Sequence, residues 1–285
     1  MKEKLKRKYA RFLVEGCLGL TKEDKLFITA SMIIKDFVDI VIKEAKNLGI
    51  HTIQTLLTDD KAQKELYLTK NYEEIIKSPL MDKTKYNQMA KEGYAFLSLS
   101  SPQPGYLKEV DPILLAKVQK YVSETTKEFR EYQDKDLLKW NISAVPNPYW
   151  AKEMHLQNEE ELWDFIFSIC LINEEEDPKK LWHEKLQKLK RRAQYLNNLQ
   201  IEKIVYKNSL GTNLEITLPE NYLFQSAEGK NIVNMPTEEV FTSPDYLKTN
   251  GIVYSSKPLE YRGNLVEDFF LEFQNGRVVS YDAKK

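Results

Sequence analysis

Cysteine, histidine, glycine and arginine are all scarce in this 285-residue chain, and each scarcity removes a class of function. The two cysteines, Cys17 and Cys170, are too few for a cysteine zinc site or a disulfide framework. Both sit among apolar residues at helical spacing, which reads as buried free thiols. The ten glycines form neither a G-x-G-x-x-G nor a G-x-x-x-x-G-K-[ST] run, so the handle for dinucleotide or P-loop binding is missing. The three histidines, His51, His155 and His183, make no H-E-x-x-H and no spaced pair, and each reads as structural or solvated. No G-x-S-x-G elbow supports a serine nucleophile. Seven arginines stand against thirty-five lysines at a formal net charge of −1. Lysine solubilises, whereas arginine supplies the planar fork that reads phosphates and guanines, so no nucleic-acid partner is expected. No apolar run approaches the roughly 18 residues of a membrane span, so no membrane partner is expected either. The opening MKEKLKRKYARFLVEG alternates charge with apolar residues and has no cleavable apolar stretch, so the expected compartment is the cytoplasm.

With 42% apolar and 30% charged residues the chain reads as globular, and its length favours two domains. Leu5, Tyr9, Phe12, Leu13, Cys17 and Leu20 share one face of an opening amphipathic helix. Lys25–Ala30 then reads as a buried strand, Asp36–Leu48 as a helix with Gly49 at its C′ position, and Ile50–Leu57 as a second strand. Helices at 61–76 and 83–92, a strand at Tyr94–Leu99, a long helix at 111–134 and a strand at Trp140–Val145 continue the alternation. The expected fold is an open, doubly wound α/β domain over residues 1–157. A helical connection over 158–200 follows, with Leu181, Trp182, Leu186, Leu189, Ala193 and Leu196 as an apolar stripe. Residues 201–285 read as a β-rich, apparently truncated second domain of α+β type. Within it, Asn275-Gly276 is the strongest hairpin signal, and Phe269, Leu271 and Phe273 are placed on one face of a strand running from Leu265. With no helix to cover it, that sheet is expected to drive self-association or to pack on the α/β domain.

The stretch richest in chemistry is Asn234-Met-Pro-Thr-Glu-Glu-Val-Phe-Thr-Ser-Pro-Asp245. Glu238 and Glu239 follow a proline and precede apolar residues. In an extended segment their side chains point to opposite faces, so one can face an internal site. Carboxylate oxygen suits a divalent cation, although paired glutamates are in most proteins merely solvated.

That run, together with Ser256-Lys-Pro-Leu-Glu-Tyr-Arg-Gly263, resembles a signature of the thermophilic-type metalloaminopeptidases, the aminopeptidase T and aminopeptidase S family. The opening K-Y-A-R-F-L-V-E-G, Val145–Ala151, Glu176–Trp182 and Gly211–Pro219 fit the same family, in order, along the whole chain. The resemblance implies an exopeptidase that removes N-terminal residues from peptides with two divalent ions, zinc or cobalt, in a usually dimeric enzyme. It also implies that one glutamate of T-E-E ligates metal, assigned to Glu239 with Glu238 as the alternative. Family members are longer, and the rest of their ligand set, including the histidine and aspartate of an H-x-D pair, lies in their last third. No H-x-D pair occurs in this sequence, and none of its histidines matches a ligand position. The expectation is therefore a catalytically incomplete piece of an aminopeptidase. The alternative is a non-catalytic relative that binds peptides or serves assembly.

Overall fold

The computed structural model describes residues 2–227, 231–261 and 264–284. It divides into two compact units, Met1–Lys185 with Glu228–Thr237, and Leu186–Ala227 with Glu238–Lys285. Helix α1 (Lys2–Arg11) carries the apolar face that the spacing predicts, then widens into a π-helical turn at Phe12–Cys17. Gly16 permits that turn, because a Cβ there would meet the Phe12 ring at 2.2 Å. The alternation that follows is β1 (Lys25–Ser31), α2 (Lys35–Asn47), β2 (Ile53–Thr58), α3 (Asp60–Thr69), α4 (Tyr72–Lys77), α5 (Thr84–Lys91) and β3 (Tyr94–Ser100). It continues through α6 (Pro112–Thr125), α7 (Lys127–Asp134), β4 (Trp140–Ala144), α8 (Pro148–Glu153), α9 (Glu159–Ile169) and α10 (Pro178–Asn198).

The single helix expected over 111–134 is two. The Thr125 and Thr126 hydroxyls both donate to the Val122 carbonyl, and Asn87 bonds both the Thr125 carbonyl and the Phe129 amide. Side chains that compete for helix carbonyls in this way favour a break. The second strand starts at Ile53 rather than Ile50, whose buried side chain instead follows the Gly49 turn.

Strands β1 to β4 pair in parallel in the order β2-β1-β3-β4, with a fifth parallel strand beyond β4. The chain leaves β1 toward one edge and β3 toward the other, so the doubly wound break lies between β1 and β3. On one face Phe27, Phe96 and Trp140 lie in register and pack with Tyr86 and Met89 of α5 and Phe129 of α7. The Phe96 ring sits 5.3 Å from Phe27 and 4.5 Å from Phe129. Elsewhere in this unit Tyr9 of α1 meets the rings of Phe37, Trp163 and Phe167, on α2 and α9, and donates its hydroxyl to the Ala144 carbonyl.

The second unit contains β5 (Lys203–Lys207), β6 (Asn213–Thr217) and β7 (Gln225–Ser226). After β8 (Asn234–Met235), which belongs to the first unit, come β9 (Val240–Phe241), β10 (Thr249–Tyr254), β11 (Leu259–Tyr261), β12 (Asn264–Val266), β13 (Phe270–Gln274) and β14 (Arg277–Asp282). Its main sheet is antiparallel in the order β14-β13-β10-β6-β5. Ile204 and Ile216, paired across β5 and β6, pack with Ala193 and Leu196 of α10 and with Leu218 and Phe224. Asn275 and Gly276 both take positive φ, 50° and 76°, as a type I′ turn requires. The strand expected from Leu265 to Phe273 is interrupted at Asp268, whose φ is 48°. Phe269 therefore lies outside β13, whereas Leu271 and Phe273 share a face opposite Val253 and Gly251.

Candidate functional site

The fifth strand of the parallel sheet is β8, only two residues long and drawn from about ninety positions after β4. Four contacts fasten it. The Ile142 amide donates to the Val233 carbonyl at 2.7 Å, and the Asn141 amide Nδ2 donates to the Ile232 carbonyl at 2.7 Å. Asn231 Nδ2 donates to the Trp140 carbonyl at 2.5 Å, and the Ile232 amide to the Cys17 carbonyl at 2.9 Å. Asn141 is buried and its Oδ1 accepts from the Ser143 hydroxyl. Such fastening brings Ile142 opposite Asn234 and Ser143 opposite Met235. Because β8 runs parallel to β4, it ends at the carboxyl edge of the sheet, where open α/β sheets bind their ligands. Pro236, which lacks an amide donor, ends the ladder.

Thr237 comes next, 5% exposed, and its hydroxyl has no hydrogen-bond partner among the described residues. A buried donor left in this state costs about 1–3 kcal/mol. Glu238 and Glu239 follow with exposed side chains, ahead of β9. Two carboxylates directly after an orphaned hydroxyl supply hard oxygen donors of the kind a divalent cation takes. They fit one part of a metal site. Among the described residues no three of His, Cys, Asp and Glu gather into a metal-binding group. His51 lies exposed ahead of β2, His155 is exposed with φ 56° after α8, and His183 is exposed on α10. Arg262 and Gly263 of the Ser256–Gly263 run fall outside the described residues.

The same carboxyl edge carries a polar cluster that no linear motif announces. At the break between β1 and β3, Asp60 Oδ2 accepts from the hydroxyl of Ser31, the last residue of β1, and from Gln103 Nε2 after β3, the latter at 2.9 Å. Asn147 Nδ2 donates to the Ser101 hydroxyl and the Pro102 carbonyl, both at 2.8 Å, while its Oδ1 caps α8. Lys83, just ahead of α5, is half-buried; burial lowers its pKa against the raising influence of Asp82 and Asp60.

The parallel sheet with its late fifth strand, joined to an antiparallel sheet, defines a class, and comparison with known proteins supplies it. The family described as thermophilic metalloprotease (M29) matches residues 1–285, and the chain belongs to that family. Aminopeptidase AmpS of Bacillus subtilis is 32% identical over 288 residues, covering 97% of this chain and 70% of that protein. Aminopeptidase T of Thermus thermophilus is 29% identical over 290 residues, covering 98% and 70% respectively. The structure of wild-type AmpT from Thermus thermophilus superposes with a TM-score of 0.86 at 27% identity, covering all of this chain and 72% of that one. No helix among the described residues is long and apolar enough to cross a membrane.

Proposed function

We propose that this chain is part of a metal-dependent aminopeptidase that removes N-terminal residues from peptides with a free amino terminus. The observation that carries the reading is the family match over the whole chain, supported by β8, which ends at the sheet's carboxyl edge shortly before Thr237-Glu238-Glu239 in the sequence. On this reading Glu239 holds metal, with Glu238 as the alternative, and the centre contains two divalent ions, zinc or cobalt. Bound there, such ions supply Lewis acidity toward the scissile carbonyl and lower the pKa of a metal-held water. The chain's own contribution is an anionic oxygen on a segment fastened to β4, beside a buried hydroxyl free to orient a neighbouring group.

A two-ion centre needs several protein ligands, so the reading places the remaining ones outside these 285 residues. Residues 1–157 then serve as an α/β domain, 158–200 as a connection and 201–285 as the start of the metal-binding domain. A cytoplasmic homo-oligomer completes the proposal.

Calorimetry with zinc and with cobalt, on this chain and on Glu239→Ala, tests it. The expected result is weak binding that disappears in the variant, and no peptidase activity from the chain alone. Tight binding of two ions per chain that disappears in the variant keeps Glu239 as a ligand and overturns the incompleteness. Equal binding by both proteins overturns the ligand assignment. The second reading, a non-catalytic peptide-binding or assembly module, draws on the lack of a three-ligand group among the described residues. It gains if peptides bind while metals do not.

A further inference from the structure

The cavity beside the carboxyl end of α10 holds chemistry that the metal reading leaves unused. It lies within the second unit, between residues 197–202 and the turn at 217–222, and has a volume of about 580 Å³. Small-ligand sites span roughly 300–1,000 Å³, so it is large enough to seat one. Hydrogen bonds clamp its two sides together. Asn197 Nδ2 donates to the Phe224 carbonyl at 3.0 Å, and its Oδ1 accepts from the Phe224 amide at 2.7 Å. The Ile201 amide donates to the Tyr222 hydroxyl at 2.6 Å, and the Leu218 amide to the Glu202 carbonyl at 2.9 Å. Walls held in this way are what a preformed site requires.

The lining divides by exposure. Leu218 is buried and Ile201, Pro219 and Tyr222 are half-buried, which gives the cavity an apolar base. Glu202 and Glu220 are exposed, and neither carboxylate has an ion-pair or hydrogen-bond partner among the described residues. Lys203, beside Glu202 in the sequence, pairs instead with Glu215 at 2.7 Å. Lys248, whose carbonyl accepts from the Thr217 amide, pairs with Asp245 at 3.1 Å. The described lining residues include no lysine, arginine or histidine. A second, independent source of negative potential is α10 itself, a 21-residue helix whose last turn lines the cavity with Asn197 and contains no basic residue. Backbone dipoles leave about half a negative charge at such an end. Carboxylates and helix end together call for a cation.

Two unpaired carboxylates match two positive charges, and the apolar base matches a hydrocarbon chain. We propose that this cavity binds an aliphatic diamine, its chain on the apolar base and its ammonium groups on Glu202 and Glu220. A free amino acid fits less well, because it brings a carboxylate that both glutamates repel. A lysine side chain carried by a peptide has the right stem but only one ammonium. The inference stands on the cavity and not on the metal centre, and binding makes and breaks no covalent bond.

The test is a titration of the whole chain with 1,5-diaminopentane, followed by protein NMR. Saturable shifts are expected at the amides of Gln200, Thr217 and Glu220, weakening as salt is raised. Three comparison ligands are run beside it. Pentylamine and Nα-acetyl-lysine amide, with one ammonium each, are expected to bind several-fold more weakly. 1,2-Diaminoethane keeps both charges but loses most of the chain, and is expected to bind about tenfold or more weakly. Glu202→Gln and Glu220→Gln keep the shape and remove the charge. Each is expected to weaken diaminopentane binding about two- to fivefold, as exposed charges do, and the double variant to weaken it further. Both side chains are exposed and unpaired, so these variants are expected to fold as the parent does. No saturable shift in the wild-type chain overturns the inference, and so does equal binding by the double variant. Equal binding of Nα-acetyl-lysine amide overturns the diamine as occupant in favour of a lysine-bearing peptide. None of these outcomes touches the carboxylate assignment at Glu239, which the metal titration decides separately.

Discussion

Asn141→Ala removes the side chain that most directly fastens the T-E-E segment to the parallel sheet. Asn141 is 1% exposed, donates to the Ile232 carbonyl at 2.7 Å, and accepts from the Ser143 hydroxyl. Truncation leaves the Ile232 carbonyl without that donor and the 0% exposed Ser143 without that acceptor. At about 1–3 kcal/mol for each of the two orphaned groups, the loss is about 2–6 kcal/mol. Because the β8 ladder is only two residues long and three other contacts fasten it, much of the loss is expected as partial local release of residues 231–241. Hydrogen exchange measured by mass spectrometry reads the local part, and urea unfolding the global part. Ser143→Ala is the control, expected to lose about 1–3 kcal/mol for the one orphaned acceptor, Asn141 Oδ1, and to leave the Asn141–Ile232 bond and the protection of 231–241 in place. Unchanged protection over 231–241, together with a loss below about 1 kcal/mol, would refute the claim that this asparagine anchors the segment.

Two further outcomes follow from the buried chemistry. Burial pushes the Cys170 thiol up to about 12 and the Cys17 thiol well above its ordinary value, so neither forms thiolate at neutral pH. Alkylation by iodoacetamide is expected only after unfolding, and stoichiometric labelling of the folded chain would contradict their burial. Acid stability should fall through Asp24 and Glu15. Burial pushes both carboxyls up, but Thr21 and Lys139 outweigh it at Asp24, and Lys179 and Arg11 at Glu15, so both sit below their ordinary 3.8 and 4.5. Folded carboxyls held low bind fewer protons than unfolded ones, so their contribution is complete above those ordinary values and drains away as pH falls below them. Urea midpoints measured from pH 6 down to pH 3 should decline below about pH 4.5, less steeply in Asp24→Asn; parallel profiles would show that Asp24 does not contribute.

The alternating strands and helices were legible because each carries its own period. Leu26 to Ala30 and Tyr94 to Leu99 are near-continuous apolar runs, each interrupted once, by Thr29 and Ser98, as strands buried on both faces allow. Asn275-Gly276 was legible because few residues adopt two successive positive φ values. Strand β8 was not. Two residues show no alternation, and a proline at 236 argues against a strand, so nothing local reveals that Asn234 will lie opposite Ile142. The glutamate pair is visible in the motif, whereas the strand that precedes it at the carboxyl edge depends on that long-range pairing. Ser31, Asp60 and Gln103 are scattered over seventy-three positions and meet only because parallel strands align their carboxyl ends.

That alignment gives the carboxyl edge its chemistry. In a parallel sheet every strand ends on one side, so every β-to-α turn and every helix N-terminus gathers there. Ser31, Asp60 and Asn147 illustrate the consequence, since each bonds a neighbouring turn instead of pointing into water. A strand inserted late in the sequence inherits the same edge without carrying a motif for it. By entering the sheet beside β4, β8 delivers Thr237 to an edge already lined with fixed polar groups. An antiparallel insertion of the same two residues would have sent Thr237 to the opposite edge. The direction of one two-residue strand therefore decides at which edge of the sheet the chain leaves, with Thr237 buried there.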